Sequence, residues 1–183
     1  MRRWLAVLAA TVVVAGCGGD DATYDGGKGS VPGPVPDGVS YAPAETEAKS
    51  PPLELTLLDD TKLDVATLWR DRPTVLFFFA SWCSRCAAQQ DTLAAMGERY
   101  GDKVAFVGVA GKDTKEKLRP WLTDHKVGYP VGIDPDLKKW RQYAVRTPPA
   151  VVLVAPGGKL LRGWTGGVER GVLEDELEAL VRD

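Results

Sequence analysis

An α/β domain with a mixed central sheet flanked by helices is predicted for this chain by three features of its sequence. Strand-length and helix-length segments alternate from Leu53 onward. Two of the strand-length runs, Thr74 to Ala80 and Val104 to Val109, are apolar without alternation, as expected of strands covered on both faces. The chain then closes with a strand, a Pro156-Gly157-Gly158 turn, a second strand and a helix, which adds antiparallel pairing to the β-α-β-α order.

Each element has its own local reason. Leu53-Glu54-Leu55-Thr56-Leu57 alternates as a half-buried strand, Asp59-Asp60 turns the chain, and Val65 to Trp69 reads as a short helix. The buried strand Thr74–Ala80 runs into a helix from about Ser84 to Tyr100, followed by the buried strand Val104–Val109. A helix from Asp113 to His125, disturbed by Pro120, precedes a short strand from Pro130 to Ile133 and a helix from Asp136 to Tyr143. Ala150 to Val154 and Lys159 to Trp164 form the closing hairpin, and Glu169 to Arg182 is an acidic amphipathic helix.

The first 52 residues have a different character. Arg2 and Arg3 precede a 12-residue run, Trp4 to Ala15, interrupted only by Thr11. That run is too short for a bilayer-spanning helix of ~20 residues and reads as an export signal. Its end, Val14-Ala15-Gly16-Cys17, resembles the lipobox of bacterial lipoproteins, which implies cleavage after Gly16 and a lipidated Cys17. Stable anchoring by such acyl chains follows from ~0.8 kcal/mol per buried methylene. Residues 17–52 then read as a disordered tether. From Gly18 to Pro52 there are seven glycines and six prolines and almost no large apolar side chain, so little burial offsets the entropy of ordering. The expected organisation is a signal peptide over 1–16, a lipidated tether over 17–52 and one folded domain over 53–183.

Composition excludes several functions. With 23 basic and 25 acidic residues and a net charge of −2, no basic footprint for a nucleic acid is present. Three cysteines are too few for a disulfide-stapled scaffold. One of them, Cys17, stands alone, and Cys83 and Cys86 form a close pair at the junction of a buried strand and the helix after it. At that junction the first thiol meets the helix N-terminus, whose unpaired N–H groups favour a thiolate. The second lies one turn on, within disulfide reach, so the pair suits thiol–disulfide exchange with Cys83 as nucleophile and Cys86 as resolving thiol. Half of a zinc site and an inert structural disulfide are the alternatives for such a pair. The one histidine, His125, sits in Thr123-Asp124-His125-Lys126 and reads as a solvated helix end. No cofactor or metal is expected.

From Leu53 to Arg182 the sequence resembles the thioredoxin superfamily, most closely its TlpA/ResA-like branch of membrane-anchored oxidoreductases with a redoxin, or AhpC/TSA-type, domain. Phe79-Ala80-Ser81-Trp82-Cys83-Ser84-Arg85-Cys86 resembles the family's strand end and W-C-x-x-C motif. The segment Tyr143 to Val154 is similar to the family's stretch leading through a cis-proline into an apolar strand. That resemblance implies a thioredoxin-like fold with a helix–strand insertion between Cys86 and Pro149. It also implies that Thr147, Pro148 and Pro149 dock the substrate backbone, with Pro149, or else Pro148, in the cis form. Trp82 is expected to shield the pair. Ser84 and Arg85 separate the two cysteines, and the Arg85 guanidinium should favour the Cys83 thiolate and make the disulfide more oxidising, unless it turns to solvent.

The departures matter as much. Where thioredoxins carry a buried aspartate this chain has Phe77, and where ResA-like reductases of cytochrome c maturation carry a glutamate it has Gln89. Asp91 stands in the place of a familiar helix proline, either as a substitute proton acceptor or as a solvated helix residue. A thiol peroxidase would precede its cysteine with threonine and proline, unlike Ser81-Trp82. The expected function is thiol–disulfide exchange with exported proteins, fed by a membrane electron-transfer partner, on the outer face of the cell membrane. The alternative is a non-catalytic lipoprotein of the same fold, serving as an interaction or copper-chaperone-like module.

Overall fold

The computed structural model describes residues 26–182. The signal over 1–16, the lipidation expected at Cys17 and the start of the tether lie outside the described residues. In chain order the main elements are β1 (Ser40–Tyr41), β2 (Glu54–Thr56), β3 (Lys62–Asp64), α1 (Ala66–Trp69), β4 (Thr74–Phe79), α2 (Ser84–Tyr100), β5 (Ala105–Gly111), α3 (Lys115–Asp124), β6 (Val131–Asp134), α4 (Lys138–Gln142), β7 (Ala150–Ala155), β8 (Lys159–Thr165), α5 (Arg170–Leu180) and β9 (Val181–Arg182).

Five strands make the central sheet in the order β6-β5-β4-β7-β8. β4 pairs with β5, and β5 with β6, in parallel, while β4–β7 and β7–β8 are antiparallel, so the sheet is mixed as the sequence predicts. The unbroken apolar run of β4 is explained by its two coats. Val75, Phe77 and Phe79 pack with Leu93, Met96, Leu118, Leu122, Leu173 and Leu177 of α2, α3 and α5. Leu76 and Phe78 point the other way, to Leu55, Leu68, Trp69 and Trp140 beneath β2, α1 and α4. Period-two alternation is thus present in β4 but hidden, because both faces demand apolar side chains. Close approach adds to this second layer: a side chain on Gly111 would run into the Trp140 ring.

Three differences from the sequence reading are informative. β3 is a three-residue strand with one inward side chain, Leu63, flanked by Lys62 and Asp64, and leaves no periodicity to detect. The last helix ends at Leu180, two residues short of the expected Arg182, because Val181 and Arg182 pair with Tyr41 and Ser40.

The third difference concerns the tether. Residues 26–52 are not a free coil but a strap laid along the domain. The Val131 N–H donates to the Gly26 carbonyl at 2.9 Å, and the Lys28 N–H donates to Asp59 Oδ2 at 2.8 Å. The Gly33 N–H donates to Asp102 Oδ1 at 3.0 Å, and the buried Arg72 guanidinium donates to the carbonyls of Gly33 and Asp102, each at 2.5 Å. Further along, the Tyr41 hydroxyl donates to the Lys103 carbonyl at 2.7 Å, and Ala48 and Ser50 bond to Leu160 and Gly158 at the β8 edge. Side-chain composition missed this because the strap is held through its backbone: polar groups on the domain supply the ordering enthalpy that its few apolar side chains do not.

Candidate active site

The site is built where β4 ends and α2 begins. Thr74–Phe79 is fully buried, which fixes the strand end, and the chain turns through Ala80–Cys83 before the helix starts at Ser84. Cys83 is the helix N-cap: its sulfur accepts from the Cys86 N–H at 3.2 Å, the role that a serine or aspartate side chain plays elsewhere. The two cysteines form a disulfide with Cα atoms 5.2 Å apart. Their exposures differ in a way that matters chemically, 8% for Cys83 and 0% for Cys86. An incoming thiol or disulfide meets Cys83 first.

Around the sulfurs the surroundings are apolar. Both cysteines share a cluster with Phe77, Phe79, Ala80 and Val168, and the Phe77 and Phe79 rings stack at 5.0 Å. Phe77 thus adds a hydrocarbon face to the apolar cluster that holds both cysteines. Gln89, one turn beyond Cys86, is buried and its Oε1 accepts from the Val168 N–H at 2.7 Å. Its oxygen is thereby committed to the backbone before α5. Asp91 does not reach the dithiol; it is exposed and pairs with His125 Nδ1 at 3.2 Å. His125 caps α3 and packs on the Trp121 ring at 4.5 Å, the helix-end position read from the sequence.

The other expected residues fall around this centre. Trp82 is 58% exposed, with its indole N–H donating to the Lys112 carbonyl at 3.3 Å, so it stands beside Cys83 as an open apolar plate rather than a closed lid. Ser84, in the first turn of α2, and Arg85 are exposed. Arg85 is turned away from open solvent in one respect: its Nη2 donates to the Gly166 carbonyl at 3.0 Å. On the facing loop the Pro148–Pro149 peptide bond is cis, with Thr147 exposed, Pro148 half-buried and Pro149 buried. β7 register pairs Ala150 with Phe78, which sets Pro149 alongside the end of β4. Gly166 and Gly167, with φ of 84° and 98°, close this side; the Gly166 N–H donates to the Pro149 carbonyl at 2.8 Å, and a Cβ on Gly167 would stand 3.4 Å from the Pro149 ring and clash with Gln89. Both glycines meet a left-handed backbone and a close approach at once.

One residue escaped sequence reasoning. Asp113, buried in the β5–α3 loop, accepts from the Ser81 N–H at 2.6 Å, the Ser81 hydroxyl at 2.8 Å and the Thr114 N–H at 3.1 Å. It ties the loop that carries Trp82 and Cys83 to the neighbouring parallel strand. A lone aspartate 32 residues from its partner gives no local signal; only its place at the C-terminal end of a buried strand, where α/β folds gather functional groups, could have suggested it. Among the described residues no group of three or more His, Cys, Asp or Glu side chains is placed to hold a metal, and no helix is long and apolar enough to cross a membrane.

Residues 46–162 match the AhpC/TSA family. Among curated relatives, the thiol:disulfide interchange protein DsbE of Xylella fastidiosa strain 9a5c is 27% identical over 138 residues, 73% of this chain and 68% of that protein. The thiol-disulfide oxidoreductase ResA of Bacillus subtilis strain 168 is 23% identical over 128 residues, 68% of this chain and 71% of its own length. Among solved structures, a secreted Mycobacterium tuberculosis disulfide oxidoreductase homologous to E. coli DsbE superposes with a TM-score of 0.62 at 25% identity, covering 70% of this chain and 96% of that one.

Proposed function

The chain belongs to the AhpC/TSA family as a thioredoxin-like thiol–disulfide oxidoreductase, and from that premise we propose that it works outside the cytoplasm, held to the membrane by a lipid on Cys17, exchanging disulfides with exported proteins through Cys83 and Cys86. The observation that carries this reading is the asymmetry of the pair: an N-cap cysteine that keeps 8% of its surface exposed and a fully buried partner already bonded to it.

In the reducing direction the Cys83 thiolate attacks a client disulfide, forming a mixed disulfide and releasing one client thiolate. The Cys86 thiolate then attacks the Cys83 sulfur, the Cys83–Cys86 bond forms, and the second client sulfur leaves, so two electrons pass from the dithiol to the client. In the oxidising direction a client thiolate attacks Cys83 and the electrons flow back. The first turn of α2 stabilises the attacking thiolate through its free N–H groups, the apolar surroundings keep water from the Cys86 sulfur, and the Thr147–Pro149 loop presents an edge against which an extended client lies. A membrane thiol–disulfide partner resets the pair. Support for the location comes from Arg2, Arg3 and the Trp4–Ala15 run, from the lipobox-like residues before Cys17, and from the secreted relative of M. tuberculosis.

Cys86→Ser tests the exchange reading. Expressed in an exporting bacterium, the variant is expected to accumulate adducts with exported proteins that collapse on reduction and disappear in Cys83→Ser/Cys86→Ser. Partners retained through both substitutions and insensitive to reductant would instead mark a non-catalytic interaction module.

A further inference from the structure

Three exposed cations sit on three different elements beside the segments that carry the dithiol, Trp82 and cis-Pro149. Arg85 lies in the first turn of α2, Lys112, whose own carbonyl accepts from the Trp82 indole, directly follows β5, and Arg146 is in the loop leading to cis-Pro149. All three are exposed, and none forms an ion pair among the described residues. Ion pairs elsewhere hold Lys115 to Asp60, Lys159 to Glu47, Arg162 to Glu176 and Arg99 to Glu174 and Glu178, while Lys117, Lys126 and Lys139 also form none among the described residues; what sets Arg85, Lys112 and Arg146 apart is their grouping around one site.

Carboxylates near the rim do not cancel the charge. Asp113 is buried and spends its oxygens on Ser81 and Thr114, and Glu169, at the start of α5, is one exposed anion against three cations. A positive rim on a chain whose net charge is −2 is a local concentration rather than a consequence of composition. Trp82, 58% exposed within that rim, adds an apolar face.

We propose that this rim selects clients whose exchanging cysteine is flanked by aspartate or glutamate. The inference rests on the exchange function proposed above and names the client chemistry of the same site. Unpaired cations keep their charge available, and surrounding a reactive centre with one sign raises the encounter rate of oppositely charged segments. Carboxylates next to a cysteine also destabilise its thiolate as a leaving group in solution; seated against Arg85, Lys112 and Arg146 they lose that disadvantage.

The test compares two ten-residue peptides, each with a single cysteine held as a mixed disulfide with cysteamine. One has glutamates at the two positions on either side of the cysteine and the other has glutamines. Second-order rates with the reduced full-length protein are followed by tryptophan fluorescence. At low ionic strength the glutamate peptide is expected to react about 5–20-fold faster, and the ratio should fall below about 2-fold in 0.5 M salt, where the screening length is a few ångströms. In Lys112→Gln/Arg146→Gln the low-salt ratio is expected to drop to about 2. Equal rates for the two peptides in the unmodified protein, or a ratio untouched by the double substitution, would overturn the proposal while leaving exchange intact. If neither peptide reacts, the exchange reading itself fails and the client preference with it.

Discussion

Asp113 shows how a single buried carboxylate sets the position of a reactive thiol. Two of its three hydrogen bonds hold Ser81, and through Ser81 the backbone that places Cys83 at the head of α2; the third is to the Thr114 N–H. Asp113→Ala leaves those donors unpaired and is expected to cost about 1–3 kcal/mol of stability in denaturant titrations. It should also slow attack by Cys83 about 10-fold, on the scale lost when a reacting group is misplaced. Asp113→Asn keeps an acceptor for the Ser81 N–H and should recover most of the rate, which a purely structural defect would not distinguish. We propose a different role for Arg85, as a neighbouring cation that favours the thiolate and so the reduced form. Arg85→Gln is expected to move the midpoint potential to about 10–30 mV more negative, a factor of up to ten in the exchange equilibrium. Of these residues the cysteines and Arg85 were legible from their types and spacing, and Trp82 and the cis-proline, as Pro149 or else Pro148, only through the family resemblance. It hid Asp113 because that contact is made only by the parallel pairing of β4 with β5. Phe77 and Gln89 were legible as departures, and their surroundings, a stacked aromatic pair and a backbone N–H, explain what replaces a titrating group at each place.

At the scale of elements, α2 was legible to the residue, since its start is marked by an N-cap cysteine and its end by Gly101 at φ 50°. The strap was not, because it is held largely through its own backbone, bonded to domain backbone and to the Asp59, Arg72, Asp102 and Tyr143 side chains. Arg72→Met removes the guanidinium that holds the Gly33 and Asp102 carbonyls. Limited proteolysis between residues 28 and 45 is expected to speed up several-fold in that variant while cleavage within the sheet stays slow. The strap's far end is pinned by Tyr143, whose hydroxyl donates to the Pro51 carbonyl at 2.7 Å and lies 2.8 Å from the Ser50 hydroxyl. Burial pushes this phenol up to about 12, against a hydrogen bond from Ser50 that lowers it. A folded-state value above the unfolded value near 10 means that the folded protein holds the proton more tightly, so the associated stability is complete below pH 10 and is lost as pH rises from 10 through 12. Thermal unfolding of Tyr143→Phe should therefore show a shallower loss of stability between pH 10 and 12 than the unmodified protein.

For the whole molecule, the arrangement is a buried mixed sheet with two apolar coats and its chemistry gathered at one end. The coats make the sheet rigid: Phe78→Ala, which opens a hole beneath Trp140 and Tyr143, is expected to destabilise the fold by about 3–5 kcal/mol in denaturant melts without altering which sulfur reacts. The same rigidity presents Cys83 and hides Cys86 whatever the client. The most direct test of that central claim is to equilibrate the full-length protein in glutathione buffers of graded potential, block free thiols by alkylation and locate the label by mass spectrometry. The account requires one reversible two-electron transition, with its midpoint above about −270 mV, and glutathione adducts confined to Cys83. A bond still closed below about −300 mV, where structural disulfides lie, or adducts forming on Cys86, would contradict it.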